Sequence, residues 1–232
     1  MRITLPTLEG KFLRRYKRFF ADVELDDGNV VVAHCPNTGS LKGCLEPGRR
    51  AVLRDTQDDK RKLRYVFQAI QVGDHLVNVD TALPNSAMFE WVSARMVPEL
   101  AGYDQVRREV AYGENSRIDL LLERASGERC FVEIKNTTYS IGDTAAFPDA
   151  RTERGLKHLG ELARVVERGQ RAVQFYFVSR DDVARFRPAD EIDPEYAAAL
   201  RRVAHRGVEV LAYSVAVAPR SLKLSRRLEV EL

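Results

Sequence analysis

Arg117-Ile-Asp-Leu-Leu-Leu-Glu-Arg-Ala-Ser-Gly-Glu-Arg-Cys-Phe-Val-Glu-Ile-Lys135 decides how the larger part of this chain folds. Residues 117–123 and 129–135 read as two strands. Between them Ala125-Ser126-Gly127 fits a three-residue hairpin loop with glycine in the left-handed position. Pairing centred on Ser126 puts Asp119 opposite Glu133, with Cβ atoms roughly 5 Å apart. Glu133 and Lys135 are two apart on a strand, so they project from one face. Their neighbours Ile118, Leu120, Leu121, Val132 and Ile134 make the setting apolar. Two carboxylates turned together there repel, and desolvation raises a pKa unless a cation sits between them. Mg²⁺ suits the place, since it is held by one or two carboxylates plus phosphate and keeps several waters; Mn²⁺ could substitute. A neighbouring ammonium can position an attacking water and stabilise developing charge. Asp119, Glu133 and Lys135 are therefore the expected catalytic set of a phosphodiester-cleaving site, with Asp119 and Glu133 as metal ligands. The plainer reading of the same residues is an ion pair on a solvated sheet face.

Outward from the hairpin, the pattern is mixed. Asn85 or Ser86 can cap a helix that runs to about Val97, where Pro98 stops it. That helix carries Glu90, a candidate third carboxylate for the metal or equally an exposed helix charge. A strand near 106–111 follows, and a long loop comes after the hairpin. Residues 152–168 are amphipathic, with Leu156, Leu159, Leu162 and Val166 near helical spacing. An apolar strand at 172–178, a helix at 194–205 and a strand at 208–217 complete an order of αβββαβαβ. Such an order means helices packed on a central mixed sheet. On the polar face of the 152–168 helix stand Arg154, Lys157 or His158, and Glu161. Cations at a helix N-terminus suit phosphate.

The first eighty residues read as short strands broken by turns. Asp26-Asp27-Gly28-Asn29 is a strong hairpin signal between Val23/Leu25 and Val30-Val-Val-Ala33. Pro36-Asn-Thr-Gly39 and Pro47-Gly48 are further turns. Five or so strands without a convincing helix suggest a small OB-like barrel. The expected division is therefore a barrel over 1–82 and an α/β nuclease-like domain over 83–232. Residues 1–80 hold 14 Lys/Arg against 11 Asp/Glu, so the net charge of +3 sits entirely in this first third. The excess is clumped at Arg14, Arg15, Lys17 and Arg18 and at Lys60, Arg61 and Lys62, which creates local potential for phosphate. Phe12, Tyr16, Phe19 and Phe20 alternate with the first clump; such aromatics can stack on bases while the cations neutralise phosphates, as in single-strand binders, although a strand with its aromatics in the barrel core and its cations outside accounts for most of them. His34, Cys35 and Cys44 lack the four closely spaced ligands of structural zinc.

Five segments resemble the sugar fermentation stimulation protein A family, in order over most of the chain: Arg15-Tyr-Lys-Arg-Phe19, His34-Cys-Pro-Asn-Thr-Gly39, Ser116-Arg-Ile-Asp119, Val132-Glu-Ile-Lys-Asn136, and Phe147-Pro-Asp-Ala150 with Thr152-Glu-Arg-Gly-Leu-Lys-His158. The Asp…Glu-x-Lys hairpin likewise resembles the PD-(D/E)xK nuclease superfamily, except that Ile118, not proline, precedes Asp119. The resemblance implies an N-terminal OB-like domain, a nuclease-like C-terminal domain and DNA binding without sequence preference. It also implies a regulatory link to maltose or sugar metabolism. DNA is thus the expected partner, contacted by the basic clumps and by Arg154 and Lys157. No apolar run reaches the roughly 18 residues of a membrane helix. The start lacks a secretory signal, and the three cysteines suggest no disulfide framework, so the expected compartment is the cytoplasm.

Overall fold

A computed structural model of the chain describes residues 1–113 and 116–232. Its first unit is built from β1 (Thr7–Tyr16), β2 (Phe20–Leu25), β3 (Val30–His34), β4 (Arg50–Asp55) and β5 (Tyr65–Val72). The strands pair β3-β2-β1-β4-β5, and a parallel β3–β5 contact at Ala33↔Tyr65 closes the ring into an OB barrel. Alternation along β1 begins the closure, with Phe12 buried and stacked on Phe67 at 5.6 Å and Lys11 facing water; a break in register between Phe12 and Arg14 then turns Arg14 to water as well. β6 (His75–Asn78) extends β5 and leads out of the barrel.

The second unit has a six-stranded mixed sheet in the order β15-β14-β12-β9-β8-β7. These strands are β7 (Gln105–Tyr112), β8 (Ser116–Glu123), β9 (Arg129–Thr137), β12 (Arg171–Val178), β14 (Glu209–Ala218) and β15 (Ser221–Arg227). Helix α1 (Ala82–Ser93) covers one face through Met88, Trp91 and Val92, packed on Leu120, Val132 and Phe177. Helices α2 (Glu153–Glu167) and α3 (Pro194–His205) cover the other through Leu159, Leu162, Leu200 and Val203. The stretch read as one long loop contains two strands, β10 (Ser140–Ile141) and β11 (Thr144–Phe147). With β13 (Arg185–Pro188) and β16 (Glu229–Val230) they form a small second sheet. Two- to four-residue strands leave too short a pattern to read from sequence. No described helix is long and apolar enough to cross a membrane.

The expected limits of α1 need correction. The helix begins three residues before Asn85, because Asp80 Oδ1 accepts the Ala82 amide at 3.0 Å, and Pro84 is tolerated in a first turn. Neither Asn85 nor Ser86 caps it. It also ends before Pro98: the Met96 and Arg95 amides bond back to Trp91 and Val92, with Arg95 left-handed at φ 59°, a Schellman stop built without glycine.

The hairpin register, by contrast, follows the loop chemistry. Leu120↔Val132, Leu121↔Phe131 and Leu122↔Cys130 pair about a loop holding left-handed Gly127. The regular ladder stops there, one pair short of Asp119 and Glu133. On the other side of β8 the β7 ladder runs from Arg108↔Leu120 to Val110↔Ile118, omitting Asp119 and its neighbour Glu109, which is left-handed at φ 52°. The sheet thus opens locally at Asp119, and strain of this kind collects at functional sites.

Candidate functional site

A cleft of about 880 Å³ lies between the barrel and the second unit. The barrel side contributes Arg15, Arg18 and residues 37–40; the other side contributes Asn85, Asp119, residues 133–136, 147–152 and Arg154. Sequence segments far apart meet here. Asp149 holds the seam by accepting the Leu41 amide at 2.8 Å through its carboxylate, while its carbonyl accepts Ser40 Oγ at 2.5 Å. A Cβ on Gly39 would stand 2.5 Å from Asp149 Oδ1, so the close approach requires glycine.

At the floor of the cleft, β9 presents Glu133, which is 3% exposed. Lys135 Nζ donates to Glu133 Oε1 at 2.7 Å, and His158 Nδ1, from α2, closes on the same oxygen. The ammonium and the imidazole nitrogen are 3.3 Å apart. Among the described residues no donor reaches Glu133 Oε2, although that atom is buried. Burial pushes the Glu133 pKa up, but the His158 hydrogen bond and the Lys135 charge outweigh it and leave it lowered.

Asp119 behaves in the opposite way. Burial and the charge of Glu133 push it up to about 6, against the bonds from the Ile134 amide and Asn85. Those bonds are short: Ile134 N donates to Oδ2 and Asn85 Nδ2 to Oδ1, each at 2.7 Å. The Ile134 amide thus meets the Asp119 side chain where the ladder ends. Two adjacent carboxylates, Glu133 buried with an unpartnered oxygen and Asp119 half-buried, with pKa values pushed in opposite directions, form a donor set of the kind that hard divalent cations take.

The remaining sequence-stated candidates scatter. Glu90 does not join the pair: it is 55% exposed and lies 3.3 Å from the N-terminal amine of Met1. The helix side chain that reaches Asp119 is instead Asn85. Among the described residues no three His, Cys, Asp or Glu side chains are grouped to hold a metal. Arg15 lines the cleft, but its guanidinium donates to the Arg18, Asn37 and Gly39 carbonyls at 2.6–3.0 Å and so knits the barrel loops together. Arg14 pairs with Asp22 at 2.7 Å outside the cleft lining. Lys17 is exposed at the β1–β2 turn and Arg18 enters the cleft. Lys60, Arg61 and Lys62 are exposed on the β4–β5 loop and do not line it. On α2, Arg154 lines the cleft, whereas Lys157 lies 3.8 Å from buried Glu161. His158 is the residue whose role sequence reasoning left open beside Lys157. The Arg154/His158 spacing of four was the available signal, with Arg154 Nε now 3.5 Å from His158 Nε2.

Two family models cover most of the chain. The "SfsA N-terminal OB domain" matches residues 13–79, and the "Sugar fermentation stimulation protein RE domain" matches residues 82–221. A sugar fermentation stimulation protein homolog of Geobacter sulfurreducens is 48% identical, over 97% of this chain and 96% of its own length. One from Geotalea uraniireducens is 47% identical over the whole of both chains. The solved structure of Pyrococcus furiosus SfsA in complex with Ca²⁺ superposes with a TM-score of 0.90 at 29% identity, covering 100% of this chain and 98% of that one. On these matches and on its barrel-then-sheet architecture, the chain belongs to the sugar fermentation stimulation protein family.

Proposed function

We propose that the protein is a cytoplasmic DNA-binding phosphodiesterase that cleaves with a divalent cation, Mg²⁺ or Mn²⁺, held by Asp119 and Glu133. The observation carrying this reading is the buried Glu133, with Oε1 held by Lys135 and His158 and Oε2 without a partner among the described residues, beside an Asp119 whose ionised form is disfavoured by burial and by the Glu133 charge. A bound cation would supply charge neutralisation at the phosphate and an acidified water. Lys135 would orient the attacking water and stabilise charge on the phosphoryl oxygens, and His158 would keep Lys135 and Glu133 in register. The Ca²⁺ complex of the Pyrococcus relative supports a divalent ion in the family. Three buried free cysteines fit a reducing compartment.

DNA is supported by the cations around this floor. Arg18 and Arg154 line the cleft from its two sides, and guanidinium forks suit phosphate. Phosphate contacts carry no base information, so binding is expected to be indifferent to sequence. Arg18→Ala and Arg154→Ala should each weaken DNA binding alike on all sequences. Each should also flatten the slope of log K against log salt by about one unit, measured by anisotropy titration. Unchanged slopes in both would move the DNA surface elsewhere.

A second reading has one observation in its favour. Glu90 is engaged at the N-terminus, so the described residues offer two acidic ligands instead of three. That suits a DNA-binding regulator of sugar or maltose metabolism whose nuclease-like site does not turn over. Incubating the protein with single-stranded, duplex, flapped and branched DNA in Mg²⁺ or Mn²⁺, against EDTA, separates the two. Cleavage in metal alone supports the enzyme; binding without cleavage on every substrate supports the regulator.

A further inference from the structure

The β1–β2 hairpin tip, Lys17-Arg18-Phe19, is unusual in three respects that share one location. Phe19 is a large aromatic left 46% exposed, while Tyr16 and Phe20 on either side of the turn stack on each other at 5.3 Å. Lys17 and Arg18 are both left-handed, at φ 49° and 63°, where glycine or asparagine would relieve the backbone. Arg15 then holds that costly turn in place. Its guanidinium bonds the Arg18 carbonyl at 2.9 and 3.0 Å, and the Asn37 and Gly39 carbonyls of the cleft wall at 2.6 and 2.9 Å. The Cys35 amide fixes the Phe19 carbonyl at 2.7 Å. A rigidly mounted, exposed aromatic therefore stands one residue from Arg18, which lines the cleft over Asp119 and Glu133.

A fold-stability role would not leave this ring in water, nor require two strained cations beside it. A nucleic-acid role accounts for both: an unpaired base stacks on the ring while Lys17 and Arg18 take the flanking phosphates. Base pairs within a blunt duplex cannot offer that face. We propose that the Lys17-Arg18-Phe19 tip is a stacking platform for an unpaired nucleobase at the cleft mouth, which makes DNA with a single-stranded segment entering the cleft the preferred substrate. The proposal rests on the DNA-binding reading above and adds the substrate class.

The test is anisotropy titration of the full chain in EDTA, with a single-stranded oligonucleotide, a blunt duplex and the same duplex carrying an overhang. The wild type should bind the single-stranded and overhang DNA more tightly than the blunt duplex. Phe19→Ala should lose roughly tenfold on the first two and little on the duplex, as expected for one base–aromatic stack. Phe19→Tyr should restore the loss, which separates stacking from misfolding. Equal affinity of Phe19→Ala and wild type for all three DNAs, with Arg18→Ala weakened on all, would overturn the platform and leave DNA binding standing. No binding of any DNA by the wild type would overturn both.

Discussion

Glu133→Gln is expected to abolish metal-dependent DNA cleavage, lowering the single-turnover rate by more than about a hundredfold, while DNA affinity in EDTA stays near wild type. The amide keeps the volume but removes the charge that a hard cation requires. It also leaves Lys135 and His158 facing a neutral group in a buried place. Lys135→Ala should lose a similar factor in rate and keep cation binding, because the ammonium orients and stabilises and does not ligate. Cation binding has a readout independent of turnover. The Asp119 pKa is raised from 3.8 to about 6 in the folded chain, so its ionisation costs stability above that pH and the cost disappears below the unfolded value. At pH 8 a bound cation should remove that cost, so Mn²⁺ should raise the Tm of the wild type and of Lys135→Ala by several degrees. The rise should vanish in Glu133→Gln and Asp119→Asn. Cleavage that survived in Glu133→Gln would place the chemistry elsewhere and defeat the residue assignment.

Trp91→Ala is expected to be the most destabilising single change in the second unit, by about 3–5 kcal/mol. For a chain of this length that corresponds to a fall in Tm of roughly 6–20 °C. Trp91 is 1% exposed and lies parallel to Phe177 with ring centroids 5.6 Å apart, in the core that joins α1 to the sheet. The consequence reaches the cleft, because the same helix carries the Asn85 amide that bonds Asp119. Thermal and urea denaturation measure the first effect, and cleavage by the protein that remains folded measures the second. Glu90→Ala provides the contrast on that helix. Its exposed pairing with the N-terminus predicts a loss below about 1 kcal/mol and no change in cleavage. A drop in cation affinity in Glu90→Ala would restore it as a third ligand; a Trp91→Ala cost under about 1 kcal/mol would refute the packing account.

How much of this could be read along the chain depended on the range of the interactions. The hairpin around Ser126, the caps of α2 at Thr152 and of α3 at Asp193, and the alternation that puts Phe12 inside the barrel are local. Each is set within a few residues by turn stereochemistry, side-chain capping or strand periodicity, so the residue string carries them. Glu133 and Lys135 on one strand face belong to that class too. The exact start of α1 does not. It depends on Asp80, which also pairs with Arg54 of the barrel. Which face of α1 meets Asp119 is likewise set by the docking of Met88, Trp91 and Val92 on the sheet, which brings Asn85 there and leaves Glu90 at the N-terminus.

The same division holds for charge. Composition located the basic excess in the first third, yet each guanidinium's use depends on what stands opposite it in space. Arg15 binds carbonyls of a loop more than twenty residues away, Arg14 pairs with Asp22 across a hairpin, and Arg18 reaches the cleft. His158 meets Glu133 across 25 residues of chain, and Asp149 meets Leu41 across 108. The residue string by itself determined the barrel, the mixed sheet and the Asp…Glu-x-Lys hairpin, because backbone stereochemistry and apolar periodicity act locally. Tertiary packing alone decided which oxygen of Glu133 is held and which is left bare, which helix residue meets Asp119, and which arginines face the cleft, because each is a contact between elements whose relative placement no local preference encodes.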